Sequence, residues 1–434
     1  MILRLGEHLQ TASGKTCNIE AYLGGGGQGE VYKVSIDGQK LALKWYFEHQ
    51  ATDVQRRTLE YLVKLEPPTD RFLWPIAIMS AAKVPGFGYV MKLREPRFKS
   101  LPDLMMRRAE PSFHVLCTAG YELVNNFLEL HAKGLCYYDI SFGNAFLDPE
   151  SGEVCISDND NVTIDGEQTA SVNGTPGFMA PEVVVGASLP CADTDRFSLA
   201  VLLFFIFFLA HPLEGRKALE INCLDLPAKR RLYGEKPIFI FDPNDDSNRP
   251  VKGDHDNAVV YWLIYPDVFK QLFIKSFTDG LRNPKNGRIR ETEWRREMIR
   301  LRDAIVYCRY CNIENFYDTQ KLKVGMGHKC WNCKSEISLP PRLRIGENII
   351  MLNYNTKLFP HHNGKDYDFS ASIGEVVRHP TKPDVWGLKN MSQDNWSCTF
   401  PSGDLTVLPP GKTIPFSSGV KISFGIKEGE IRCE

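Results

Sequence analysis

Residues 197–210 read Phe-Ser-Leu-Ala-Val-Leu-Leu-Phe-Phe-Ile-Phe-Phe-Leu-Ala, fourteen positions without a charge. A helix of that composition has no polar face, so it must be enclosed on every side, by lipid or by a large protein core. A membrane span takes about 20 apolar residues, and this run falls short. The 434-residue chain can supply the core itself, since that length predicts two or three domains. Its hydrophobic fraction of 43% and charged fraction of 24% are ordinary for a globular protein. A net charge of −1 argues against polyanion binding as its main task. We therefore expect a buried central helix, no membrane and no nucleic-acid partner. The sequence shows no internal repeat, heptad pattern or low-complexity tract.

The stretches before and around that run have the chemistry of a phosphate site. Leu23-Gly24-Gly25-Gly26-Gly27-Gln28-Gly29-Glu30-Val31-Tyr32 contains G-x-G-x-x-G at Gly24, Gly26 and Gly29, followed by Val31. Glycine tolerates positive φ and lets backbone N–H groups approach phosphate closely. Residues 19–23 and 31–34 read as strands, so the turn joins strand to strand, unlike the strand-to-helix turn of a dinucleotide site. Leu41-Ala42-Leu43-Lys44-Trp45 is an apolar strand interrupted by one lysine. Residues 51–65 read as a helix that ends before Pro67-Pro68. Downstream, Asp139 and Asn144 are spaced D-x-x-x-x-N. Asp158-Asn159-Asp160 then follows the strand-like Val154-Cys155-Ile156-Ser157. Residues 174–182, Gly-Thr-Pro-Gly-Phe-Met-Ala-Pro-Glu, end in an Ala-Pro-Glu box.

In this order and at these spacings, residues 1 to about 303 resemble a protein kinase, and the order of kinase, four-cysteine module and β domain along the chain is similar to that of bacterial Ser/Thr kinases. The resemblance implies an α+β, bilobal kinase fold, with an N-lobe over about 1–92 and a C-lobe over about 93–303. It implies that Lys44 reaches the α- and β-phosphates of ATP, held by Glu60 of the next helix, with Glu66 as the alternative. Gly24, Gly26, Gly29, Val31 and Ala42 would cover the nucleotide. Met91 would be the gatekeeper, with the Lys92 and Leu93 backbone facing adenine. Asp139 would orient the acceptor hydroxyl and take its proton, while Asn144 and Asp158 would hold Mg²⁺ or Mn²⁺. Asp160 competes with Asp158 for the metal. Thr175 goes with Ser/Thr acceptors, so the expected partner is a protein substrate bearing Ser or Thr. Asp195 would begin the central helix and hold the catalytic loop, and Arg288 would pair with Glu182. Thr163, Thr169 and Ser171 are candidate phosphorylation sites. Three departures keep an ATP-binding pseudokinase switch as an alternative. Tyr138 stands where many kinases carry Arg, Ser141 where Ser/Thr kinases carry Lys, and Asn159-Asp160 where the family has Phe-Gly.

Cys308-x-x-Cys311 and Cys330-x-x-Cys333 define a four-cysteine module over 304–340, with eighteen residues between the pairs. The spacing fits a closed tetrahedral, structural Zn²⁺ site of the zinc-ribbon kind. Residues 1–8 lack the basic-then-apolar start of a secretory signal, so we expect a cytoplasmic protein with reduced thiols rather than disulfides. Between 312 and 336 the lysines are Lys321, Lys323, Lys329 and Lys334, too few to suggest nucleic-acid binding. From 341 to 434, short Val/Ile/Phe/Trp-rich runs alternate with Gly/Pro/Asn/Asp turns, which predicts an all-β sandwich. Its ending looks like the tail of a forkhead-associated domain; residues 387–392 sit near the middle, Arg378-His379 stands in for that family's binding residues, and phosphopeptide binding is not carried over from the resemblance. This domain is a candidate surface for a partner protein, and an interaction scaffold is the third functional alternative.

Overall fold

The computed structural model describes residues 1–10, 14–81, 84–166, 174–318 and 329–433. Thr169, Ser171, Lys321 and Lys323 lie outside the described residues. The chain divides into two compact units, Met1–Leu263 with Lys270–Arg295, and Ile264–Phe269 with Arg296–Glu434. The division falls within the helix Glu291–Asp303.

The first unit begins with a six-stranded antiparallel sheet. Its strands are β1 (His8–Gln10), β2 (Thr16–Gly25), β3 (Gly29–Ile36), β4 (Gln39–Tyr46), β5 (Ala77–Ala81) and β6 (Val84–Lys92), in spatial order β1-β2-β3-β4-β6-β5. The central β4 is apolar and buried from Leu41 to Tyr46, including Lys44. Helix α1 (Asp53–Lys64) starts at Thr52, whose hydroxyl accepts the Gln55 amide at 3.2 Å. It buries Leu59 and Leu62.

The rest of this unit is largely helical. Phe113–Ala132 and Ala192–Phe208 are its long helices. All of 197–208 is buried, and Leu209, at φ 49°, turns left-handed and ends the helix. Phe204 sits among Phe208, Phe239 and Phe273 at ring-centroid distances of 4.5 to 5.7 Å. Residues 197–208 of the run are therefore core, and among the described residues no helix is long and apolar enough to cross a membrane. The polar excursion after Glu214 is pinned by buried Asn248, whose amide donates to the carbonyls of Leu213 (2.9 Å) and Ile238 (2.7 Å).

In the second unit, the hairpin Ile305–Tyr307 with Glu314–Phe316 leads into the cysteine module. Two antiparallel sheets follow, one of six strands between Arg342 and Arg432, the other of four strands between Lys357 and Pro415. Leu343, Trp396, Ile422 and Ile431 from the larger sheet share one core with Leu358, Val376, Leu388 and Ile414 from the smaller. That is a sandwich, built as alternation predicts. The loop residues singled out for a forkhead-associated role have local structural tasks. His379 accepts the amides of Thr381 and Lys382, each at 3.2 Å. Asn390 is fully buried and donates to the carbonyls of Asp394 and Leu408.

Candidate active site

Lys44 is brought inward because β4 is a central strand, paired to β3 through Val31 and to β6 through Tyr89. Its Nζ lies 2.9 Å from Asp160 Oδ2, 3.1 Å from Asp160 Oδ1 and 3.5 Å from Asp158 Oδ1. It also donates to Gln28 Oε1 at 2.8 Å, from the glycine turn. Burial works against a charged lysine, but the carboxylates of Asp160 and Asp158 outweigh it and raise the Lys44 pKa.

Glu60 is not brought to Lys44. Its side chain is about half exposed and pairs with Arg56 at 3.2 Å. The inward stripe of α1 runs through Gln55, Leu59 and Leu62, and Glu60 falls one residue off it. Gln55 does reach inward, donating its amide to the Tyr46 hydroxyl (3.1 Å) and the Asp160 carbonyl (3.3 Å). Glu66 lies beyond the end of α1.

The glycine turn and its surroundings lie where the spacing put them. Gly26 N–H donates to the Gly29 carbonyl at 2.9 Å, closing the β2–β3 hairpin. A Cβ on Gly29 would stand 2.1 Å from the Trp45 carbonyl oxygen, so only glycine fits there. Gly24 lies near the end of β2. Ala42 pairs with Met91 across β4 and β6, and both are buried in one apolar cluster with half-buried Val31 and Leu93 along its border. Lys92 ends β6 and is exposed.

The loop that carries Asp139 hangs from the central helix. Asp195 Oδ2 accepts the Tyr137 amide at 2.6 Å and Oδ1 the Tyr138 amide at 3.2 Å. His131 Nε2 lies 3.1 Å from Asp195, and its Nδ1 lies 2.6 Å from Glu291. Thus held, Asp139 faces two donors. Thr175 Oγ1 donates to its Oδ1 at 2.6 Å, and Asn144 Nδ2 to its Oδ2 at 3.1 Å. Burial raises the Asp139 pKa, and the Thr175 and Asn144 hydrogen bonds oppose that rise. Asn144 Nδ2 also donates to the Asp139 carbonyl at 2.9 Å, which leaves its amide oxygen as the acceptor a cation could use. Tyr138 is buried at φ 69°, and Ser141 is buried. Thr163 is buried in the short strand paired with Leu135–Cys136, which closes it to modification.

The two carboxylates of the Asp-Asn-Asp turn have different surroundings. Asp160 has a fully buried side chain that accepts from Lys44, from Tyr46 and, at 2.9 Å, from Tyr89. Burial opposes its charge, but Lys44 and the two tyrosines hold its pKa below the ordinary value. Asp158, at φ 50°, keeps its side chain 39% exposed. Asp160 is saturated by protein donors, whereas Asp158 has oxygen surface left for a cation.

The segment after Thr175 is anchored in three places. Glu182 pairs with buried Arg288 at 2.7 Å, and the same guanidinium donates to the Asp193 carbonyl at 2.8 Å. Ser198 donates to the Phe178 carbonyl at 2.8 Å. Buried His211 accepts the Leu213 amide on Nδ1, so Nε2 carries the proton it donates to the Gly177 carbonyl at 2.8 Å. Burial lowers the His211 pKa, consistent with a neutral ring. Sequence reasoning missed His211, Gln55 and both tyrosines, because no local motif marks them.

A second constellation lies in the other unit. The sulfurs of Cys308, Cys311, Cys330 and Cys333 all lie within 4.8 Å of one another. Cys308 is 3.5 Å from Cys333, and Cys311 is 3.6 Å from Cys330. All four are free thiols. Each pair sits in a tight knuckle closed by a left-handed residue, Asn312 (φ 55°) or Lys334 (φ 62°), whose amide donates to the carbonyl of Cys308 or Cys330. Sulfurs set tetrahedrally about 2.3 Å from one zinc stand about 3.8 Å apart, so the set fits that ion. Hydrogen bonds from Ser335 lower the Cys333 pKa to about 6, which favours the thiolate a metal needs. Asn315 Nδ2 approaches Cys330 Sγ at 3.6 Å.

A buried lysine facing two carboxylates, and an aspartate held by a threonine and an asparagine, are residue types that a phosphoryl-transfer site uses. The chain belongs to the protein kinase family: the model for the protein kinase domain matches residues 17–249, more than half of its length. It is 27% identical over 128 residues to protein kinase gsk3 of Schizosaccharomyces pombe, covering 28% of this chain and 33% of that protein. It is 34% identical over 126 residues to human ribosomal protein S6 kinase alpha-4, covering 28% of this chain and 16% of the relative. To a probable serine/threonine-protein kinase of Zea mays it is 30% identical over 120 residues, covering 27% and 19%. The matches span a third or less of these relatives.

Proposed function

We propose that the chain is a protein kinase that transfers the γ-phosphoryl group of ATP to Ser or Thr hydroxyls of a protein. The observation that carries this is Asp139, fixed between Thr175 and Asn144 on a loop hung from Asp195. In this reading Lys44 positions the phosphates under the glycine turn Gly24–Gly29, with Val31 and Ala42 against the base. Met91 borders the base, and the Lys92 and Leu93 backbone faces it. Asp158 and Asn144 hold Mg²⁺ or Mn²⁺, which neutralises phosphate charge. Asp139 orients the acceptor hydroxyl and takes its proton, helped by a pKa that burial raises. The four cysteines hold a structural Zn²⁺. The three-part order resembles bacterial cytoplasmic stress-response kinases, and the β sandwich would meet a partner protein.

The test is incubation with γ-labelled ATP, Mg²⁺ and an acceptor panel, beside Asp139→Asn, followed by phosphosite mapping. Label on Ser or Thr from wild type, lost in Asp139→Asn while ATP still binds, supports the reading. Transfer that persists in Asp139→Asn overturns the role of Asp139. Ser141, where the resemblance calls for Lys, favours the pseudokinase as second reading. Nucleotide bound without transfer to any acceptor would select it.

A further inference from the structure

Lys44 has its counter-charge in an unexpected place. Glu60, the helix carboxylate of the expected pair, faces solvent with Arg56. The groups that touch Lys44 Nζ are Gln28, Asp158 and Asp160. Asp160 alone is fully enclosed, and both of its oxygens accept from Lys44. Tyr46, in the same strand as Lys44, and Tyr89, from the adjacent strand, donate to it as well. The pKa values of both phenols are pushed well above the ordinary tyrosine value by burial and by Asp160, so they stay protonated donors.

The geometry points to Asp160 as the positioning residue that fixes Lys44 for phosphate binding, in place of a carboxylate from α1. Asp160 is two residues from Asp158, so the lysine and the proposed cation ligand are set by one short turn. That turn is itself braced, with Asn161 N–H donating to the Asp158 carbonyl at 3.2 Å and Asn159 Nδ2 to the Ile156 carbonyl at 3.0 Å. Helix α1 contributes a neutral amide, Gln55, to the outside of the cluster. A site assembled this way does not need α1 to swing a charge into place, so its readiness is set by the Asp-Asn-Asp turn. The inference rests on the kinase reading for its ligand, ATP, and not for turnover.

The experiment is calorimetric titration of the full chain with Mg-ATP and, separately, adenosine. The proteins are wild type, Asp160→Asn, Lys44→Met, the double variant and Glu60→Gln. Asp160→Asn is expected to lose about tenfold or more of the ATP affinity, comparable to losing a charge-assisted contact, while adenosine affinity holds. In the Lys44→Met background, Asp160→Asn should change ATP affinity no further, because it acts through the lysine. Glu60→Gln should match wild type for both ligands. A merely structural Asp160 would weaken ATP and adenosine alike, and that result overturns the inference. So does a Glu60→Gln variant that loses ATP affinity as Lys44→Met does. If Asp160→Asn fails to fold because its buried lysine keeps only Gln28 and the partly exposed Asp158, Glu60→Gln and the double variant still decide. A wild type that binds ATP but transfers nothing defeats the proposed reaction and leaves the inference standing. A wild type that binds no ATP overturns both.

Discussion

His131 shows what one buried side chain does for the site. It lies between the carboxylates of Asp195 and Glu291, and Arg196 also contacts Glu291 at 2.9 Å. Burial alone would lower its pKa, but the two carboxylates raise it to about 9. A folded-state pKa above the unfolded value stabilises the fold fully below about pH 6.5. That contribution, on the order of 3 kcal/mol, is lost as pH rises through about 9. Urea midpoints should therefore fall between pH 6.5 and 9, and His131→Gln should flatten that slope. A slope unchanged in the variant would place the titration elsewhere. Residues of this kind were only partly legible in the sequence. Lys44, Asp139 and Asn144 could be singled out as candidates because their spacing is local. Glu60 misled because a charge next to a lysine motif says nothing about helix phase. The apolar stripe through Leu59 and Leu62 did carry the phase, and it points to Gln55. Asp160 was read as a rival cation ligand, since its burial depends on Tyr46 and Tyr89, far away in sequence.

At the scale of elements, the segment 174–182 is held to the helical part of its unit by side chains distant in sequence. Glu182 meets Arg288 across 106 positions, and the guanidinium is almost entirely buried. Removing the carboxylate leaves an uncompensated buried charge, so Glu182→Ala should cost about 3–5 kcal/mol. Arg288→Lys should cost as well, since one ammonium cannot serve both Glu182 and the Asp193 carbonyl in the guanidinium's geometry. Denaturant unfolding measures both, and a Glu182→Ala midpoint equal to wild type would show that the pair adds nothing to stability. This pairing was legible because both ends sit in family-like motifs. The central helix was legible from composition alone, since fourteen uncharged residues leave burial as the only outcome short of a membrane. The Gly177–His211 contact was not, because a histidine in an ordinary loop carries no periodic or motif signal.

At the scale of the whole molecule, the two units were readable to different depths. The first rests on motifs that fix the family and the order of its elements together. The second rests on alternation, which gave a sandwich but neither its sheet order nor a binding site. Strand pairing is a long-range choice, and nothing local in the sequence shows that Asn390 is tied to the Leu408 carbonyl. The cysteine module lies between these cases, because its spacing specifies a ligand set without help from the rest of the fold. Its knuckles are small, and Trp331 ties them to the preceding hairpin through Nε1 to the Glu314 carbonyl at 2.8 Å. Four sulfurs within 4.8 Å of one another are placed for a cation that would bind them as thiolates. The protein should therefore release one zinc per chain when its thiols are titrated with a mercurial. Cys330→Ser should lose that zinc, and amide exchange should rise at Cys308 and Cys330, whose N–H groups donate to the Ile313 and Ser335 carbonyls that close the knuckles. Protein purified without reductant that holds no zinc, and whose four cysteines are recovered as two disulfides, would refute the metal assignment.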